Sequence, residues 1–125
     1  MITGLGIDLI EVDRVAIKIR KETGFRELVF SKKEIAYCEK KAKKFEHYAA
    51  RFAAKEAFFK AIGTGWGKDT AFNEIEITNN EDGKPEIFFL GKTATTIAEM
   101  TLGKILVSLS HIKTTASAMV IIESI

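Results

Sequence analysis

The stretch from about Glu46 to Ile62 constrains the fold of this chain more than any other. Tyr48, Phe52, Ala53, Phe59 and Ile62 recur there near the helical period, and Gly63 and Gly65 end the run. A long helix with this much apolar bulk needs a second layer to cover it. The flanking segments supply candidates. Residues 2–12 read as a strand built on Ile2, Ile7, Leu9, Ile10 and Val12, with Gly4 and Gly6 marking a bend or a close backbone approach. From Asp13, a candidate N-cap, Val15 and Ile19 take up helical spacing, with Gly24 as the stop. Ser31-x-x-Glu34 is a capping-box pattern opening a second helix with Ile35 and Cys38 on one face.

After the Gly63-Thr64-Gly65-Trp66-Gly67 loop, the period becomes two. Residues 72–78 and Glu86–Leu90 read as strands around the Asp82-Gly83 turn. Residues 91–102 read as a shorter helix. Residues 104–111 and 115–123 read as two more strands, joined by a polar turn at Lys113-Thr114. The order strand, three helices, hairpin, helix, hairpin lacks βαβ alternation. It predicts one α+β domain over residues 1–125, with the long helix packed on a mainly antiparallel sheet.

A length of 125 residues suits one core. The lone Cys38 excludes an internal disulfide and a multi-cysteine zinc site, and fits a reducing compartment. Asp8, Glu11 and Asp13 interrupt the first apolar stretch, so it is neither a signal peptide nor a membrane span. A soluble, cytoplasmic protein with no membrane partner is expected.

The formal net charge of +2 hides an asymmetry. Residues 1–68 hold 15 Lys and Arg against 9 Asp and Glu, whereas residues 69–125 hold 4 against 8. Residues 14–44 hold 11 basic and 4 acidic residues, among them Arg14, Lys18, Arg20 and Lys21. One reading is a pair of solvated helix faces; the other is a docking surface for a polyanion. Nucleic acid is disfavoured, because Phe25, Phe30 and Tyr37 fit core positions better than a stacking platform.

Two acids stand out. Asp8 interrupts an apolar strand; it is either an outward-facing residue of an edge strand or a carboxylate that is paired or bound to a metal. Glu56 shares a helix face with Phe52, Phe59 and Lys60. It is either half of an ordinary Glu–Lys pair or a hard-cation ligand beside a phosphate-neutralising lysine. The Gly63–Lys68 loop follows a helix, so it does not match a P-loop; it reads as a helix end and turn in which Trp66 packs. His111 closes a strand, where binding residues are common, whereas His47 has no such context. Cys38 reads as a small buried hydrophobe.

Four segments together resemble the short class of 4′-phosphopantetheinyl transferases, the bacterial holo-[acyl-carrier-protein] synthases. They are Gly4-x-Gly6-x-Asp8-Leu9-Ile10-Glu11-Val12-x-Arg14; Arg51-Phe52-Ala53-Ala54-Lys55-Glu56-Ala57-x-x-Lys60-Ala61-x-Gly63-Thr64-Gly65; Asn80 followed by Gly83-Lys84-Pro85; and Val107-Ser108-x-Ser110-His111 with the apolar strand after it. They span nearly the whole chain in the family's order. Ile7 departs from the small polar residue the family often has before the aspartate.

The resemblance implies that family's fold and a Mg²⁺-dependent transfer of 4′-phosphopantetheine from coenzyme A to a serine of an apo acyl carrier protein, in support of fatty acid biosynthesis. It implies Asp8 and Glu56 as metal ligands, with Lys60 as the third catalytic residue. It points to Arg51, Lys60, Lys84 and His111 as coenzyme A contacts. The acidic carrier would dock on Arg14, Lys18, Arg20 and Lys21. A homotrimer with sites at subunit interfaces is also implied. A non-catalytic binding module for anionic partners and an RNA-binding protein using residues 14–44 are the alternatives.

Overall fold

In the computed structural model, which describes residues 1–65, 67 and 69–125, the long helix α4 (Lys44–Ile62) lies across one face of an antiparallel sheet. Three strands form that sheet in the order β1 (Ile2–Glu11), β5 (Thr115–Glu123), β4 (Ile105–His111). A separate antiparallel hairpin is formed by β2 (Ile75–Asn79) and β3 (Pro85–Phe89). The helices α1 (Val12–Arg20), α2 (Phe25–Val29) and α3 (Lys32–Glu39) connect β1 to α4, and α5 (Gly91–Glu99) connects the hairpin to β4. The α+β architecture and the helix-on-sheet layer are as expected. Trp66 and Lys68 lie outside the described residues, as does the expectation that Trp66 packs.

Strand pairing sorts the side chains into two faces. Gly6, Val120 and Val107 lie in register on the face toward α4, as do Asp8, Ala118 and Leu109, and then Ile10, Ala116 and His111. Small residues let the helix approach β1 closely. A Cβ on Gly6 would overlap the Ala57 carbonyl oxygen, and one on Gly4 the Ala61 carbonyl oxygen. The other face carries Leu5, Ile7, Leu9, Met119, Ile121 and Leu106, of which Leu9 is 70% exposed.

Three local readings change. The N-cap of α1 is Glu11 rather than Asp13, and no side chain caps it; the Val12 amide instead donates to the Thr114 carbonyl. Gly24, in the left-handed region at φ 95°, opens the short α2 rather than stopping α1, which ends at Arg20. Residues Phe72–Glu74 form a 3₁₀ turn instead of the first part of a strand. The turn brings Glu74 to the start of α5, where its Oε1 accepts from the Thr93 amide and hydroxyl at 3.2 and 2.7 Å. That capping is supplied by a distant residue, so period-two patterning does not reveal it.

The Ser31 capping box forms as read, with the Glu34 amide donating to Oγ and the Ser31 amide to Glu34 Oε1. Glu34 does more than cap. Its Oε1 also accepts from Lys55 at 2.6 Å and its Oε2 from the Ile77 amide at 3.0 Å. Lys55 further donates to the Val29 and Phe72 carbonyls, while Ser31 donates its hydroxyl to Glu76. This knot ties α2, α3, α4 and the hairpin together inside the protein, with Lys55 fully buried.

Candidate active site

Two charged clusters flank α4. The first lies where α4 crosses the outer strand β1. Asp8 points toward the helix, so the reading of an outward-facing edge residue does not hold. Lys60 Nζ donates to Asp8 Oδ1 and to the Ile7 carbonyl, both at 3.0 Å. The lysine therefore pairs with Asp8, not with Glu56 one turn before it on the helix. Glu56 makes no hydrogen bond or ion pair among the described residues. Burial, and then the Asp8 charge, push its carboxyl above the usual range, and Lys60 opposes them. Asp8 and Glu56 line one groove of about 200 Å³ with Arg14, Lys18, Phe25 and Phe52.

No group of three or more His, Cys, Asp or Glu gathers among the described residues in a way that would cage a metal. The Asp8–Glu56 pair still fits Mg²⁺. That ion binds oxygen, retains several waters and needs only one or two carboxylates when substrate phosphates complete its shell. A carboxylate raised by burial and then by a neighbouring carboxylate is an arrangement in which a divalent cation relieves the repulsion.

The second cluster lies at the other outer strand, β4. Arg51 is only 2% exposed, yet it makes no ion pair among the described residues. Its guanidinium stacks on Tyr37 at 4.2 Å and donates to Asn79 Oδ1, and among the described residues Nε has no partner. Asn79 in turn donates to the Gly83 carbonyl, linking Arg51 to the hairpin turn. The Asn80 side chain organises that turn by accepting from the Asp82 and Lys84 amides. His111 Nδ1 lies 2.8 Å from Glu46 Oε1. Arg51, His111, Gly83 and Pro85 line a cavity of about 190 Å³ together with Tyr37, His47 and Asn79.

A buried guanidinium that lines a cavity, with only neutral hydrogen-bond partners among the described residues, is suited to receive an anion. Lys84 is exposed on the turn between two of the lining residues.

The predicted site residues therefore divide. Asp8, Glu56 and Lys60 come together, with Arg14 and Lys18 on the same groove. Arg51, His111 and the Lys84 turn form the second cluster. Arg51 precedes Glu56 by five residues, about 140° around the helix, so the two clusters face different sides of α4. Arg20 lies apart from both, over the Phe45 ring at 4.6 Å, and Lys21 is exposed at the end of α1. His47 and Asn79 were not singled out from the sequence. The spacing of four between His47 and Arg51, which puts both on one helix face, is the signal that marks His47. Cys38 is buried as expected, and burial pushes its thiol up to about 12.

The comparisons with known proteins agree on one family. The model of the 4′-phosphopantetheinyl transferase superfamily matches residues 4–116. A holo-[acyl-carrier-protein] synthase of Cytophaga hutchinsonii is 48% identical over 124 residues, covering 97% of each chain. Among solved structures, the holo-[acyl-carrier-protein] synthase of Neisseria meningitidis superposes with a TM-score of 0.88 at 32% identity, over 99% of this chain and 100% of that one. The Bacillus anthracis holo-(acyl-carrier-protein) synthase, in complex with CoA (3′,5′-ADP), superposes with a TM-score of 0.82 at 36% identity, over 100% of this chain and 99% of that one.

Proposed function

The chain belongs to the 4′-phosphopantetheinyl transferase superfamily, and from that premise we propose that it moves the 4′-phosphopantetheine group of coenzyme A onto a serine hydroxyl of an apo acyl carrier protein. An oxygen–phosphorus bond forms at the serine as its hydroxyl gives up a proton, the pyrophosphate bond of coenzyme A breaks, and adenosine 3′,5′-bisphosphate leaves. The resulting holo carrier would serve fatty acid biosynthesis. The observation that carries this reading is a pair of opposite charge imbalances on one helix. Among the described residues Glu56, beside Asp8, makes no ion pair of its own, and buried Arg51 makes none either.

Asp8 and Glu56 would hold Mg²⁺, which when bound offsets charge on the pyrophosphate. Lys60 uses two donors on Asp8 and Ile7, which leaves its third N–H for a phosphate oxygen or the leaving group. Arg51, His111 and Lys84 would hold phosphate-bearing parts of coenzyme A, with Arg51 preorganised by Tyr37 and Asn79. Positioning and electrostatics of this kind supply most of the catalysis in phosphoryl chemistry. Arg14 and Lys18, on the rim of the carboxylate groove, would meet an acidic carrier where the serine must arrive, with Arg20 and Lys21 extending the basic edge.

The same reading extends to a homotrimer. The sheet face carrying Leu5, Ile7, Leu9 and Met119 is exposed and apolar, as subunit interfaces are before association. Its two outer strands carry the two clusters, so packing by this face would bring one subunit's carboxylates toward another's Arg51 pocket. Sedimentation should give a trimer, and Leu9→Glu should dissociate it with loss of transfer. A fully active monomer contradicts the shared site.

The direct test incubates the protein with Mg²⁺, coenzyme A and an apo carrier protein, then weighs the carrier by mass spectrometry. A mass gain of one phosphopantetheine, absent without Mg²⁺, is expected; no gain overturns the proposal.

A further inference from the structure

The cavity beside Arg51 holds a second histidine that no motif explains. His47 lies edge-on to His111 with ring centroids 5.0 Å apart, and edge-on to Tyr37 at 5.9 Å. It is half-buried and lines the cavity together with Arg51 and Asn79. We infer that His47 is a proton-linked binding residue of this pocket: its ring takes up a proton as a phosphate group of coenzyme A enters. The inference rests on the reading of the pocket as a coenzyme A site.

The surrounding charges support it. From α4 itself, Arg51 and Glu46 act on His47; from beyond the end of α3 comes Lys41, and from β4 comes His111. Tyr37 faces it from α3, and the hairpin presents Asn79, Gly83 and Pro85, which carry no charge. The one acid, Glu46, already pairs with His111 Nδ1. Burial therefore holds the His47 ring below its ordinary range, and His111, Arg51 and Lys41 reinforce that, against Glu46. An entering phosphate dianion reverses this field. It favours the charged imidazole, and the ring becomes a donor at both nitrogens.

Linkage fixes the sign. If the complex binds more protons than its free components, affinity rises as pH falls. Above about pH 6.5 the phosphomonoester of coenzyme A is largely dianionic already, so its own titration contributes little. Between pH 6.5 and 8 the affinity for coenzyme A should fall by roughly three- to tenfold, within the limit of about thirtyfold that a single proton sets over that range.

The test is calorimetry of coenzyme A binding to the full chain with Mg²⁺ at pH 7, in buffers of different ionisation enthalpy. Wild type should take up a fraction of one proton per coenzyme A. His47→Phe should still bind, about three- to tenfold more weakly, with most of that uptake gone and a flatter pH dependence. Equal uptake in His47→Phe and wild type overturns the inference. Dephospho-coenzyme A separates the two sources of phosphate: loss of uptake with it assigns the ribose phosphate, and retained uptake assigns the pyrophosphate.

Arg51→Met distinguishes the inference from its premise. If Arg51→Met binds coenzyme A like wild type, the pocket is not the coenzyme A site and both readings fail. If Arg51→Met loses binding while His47→Phe keeps its proton uptake, only the inference fails. Should His47→Phe not fold, ring nitrogen chemical shifts of wild-type His47 decide. A ring that becomes charged at pH 7 only with coenzyme A supports the inference, and a neutral ring in both states overturns it.

Discussion

Lys55 and Arg51 are both buried cations, one turn apart on α4, and their surroundings differ completely. Lys55 donates to a carboxylate and two backbone carbonyls, so its charge and its three donors are all matched within the chain. Arg51 has an aromatic face, one amide oxygen and an unmatched Nε. The first is a closed arrangement that holds elements together. The second is open among the described residues, as the proposed coenzyme A site requires. Glu56, next to Lys55 in sequence, belongs with the open class. On the proposed function, burial of a charge does not separate structural from functional residues here, whereas completeness of its partners does.

The comparison breaks most visibly at the carboxylates. Asp8→Ala and Glu56→Ala should each lower transfer to the carrier by about 10³-fold or more, with far-ultraviolet circular dichroism unchanged. Transfer within tenfold of wild type in either variant would remove the carboxylate pair from the site. The closed arrangement should fail in the opposite way. Lys55→Met leaves Glu34 buried without its cation and should cost about 3–5 kcal/mol in urea unfolding. A loss below about 1 kcal/mol would mean that the knot is not a structural anchor.

Smaller effects sharpen the contrast. Arg14→Glu should raise KM for carrier protein by roughly tenfold while changing KM for coenzyme A less than twofold, and added salt should shrink the difference. Equal loss for both substrates would rule out docking. Glu56→Gln should raise Tm slightly at pH 7, by roughly 1–3 °C, because the folded state holds that carboxyl above its unfolded value. The sign follows from linkage. A carboxyl raised on folding favours the folded state only where it is protonated, and it costs stability as pH rises past the unfolded value. Its half-open, screened position keeps the effect small. No gain, or a loss at pH 7 that disappears at pH 4, would contradict this.

Features with short-range causes were readable from the sequence. The capping box at Ser31 and Glu34 and the span of α4 each depend on neighbours within a few residues. What escaped depends on partners far along the chain. Glu34 reads as a cap, but its second role requires Lys55, 21 residues on, and Ile77, 43 residues on. Lys60 reads as the partner of Glu56 by helical spacing, until β1 brings Asp8 closer to it. Apart from its helical spacing to Arg51, the surroundings of His47 come from α3 and β4, far along the chain. The charged residues themselves were visible; which of them would be left unmatched depended on the packing of other elements.

One measurement bears directly on that distinction: thermal unfolding of Arg51→Met with and without coenzyme A. Removing an unmatched buried cation should leave Tm without ligand equal to wild type or higher. Coenzyme A should raise the wild-type Tm by mass action and leave that of Arg51→Met nearly unmoved. A variant that unfolds as early as Lys55→Met, yet is still stabilised by coenzyme A as wild type is, would contradict the account.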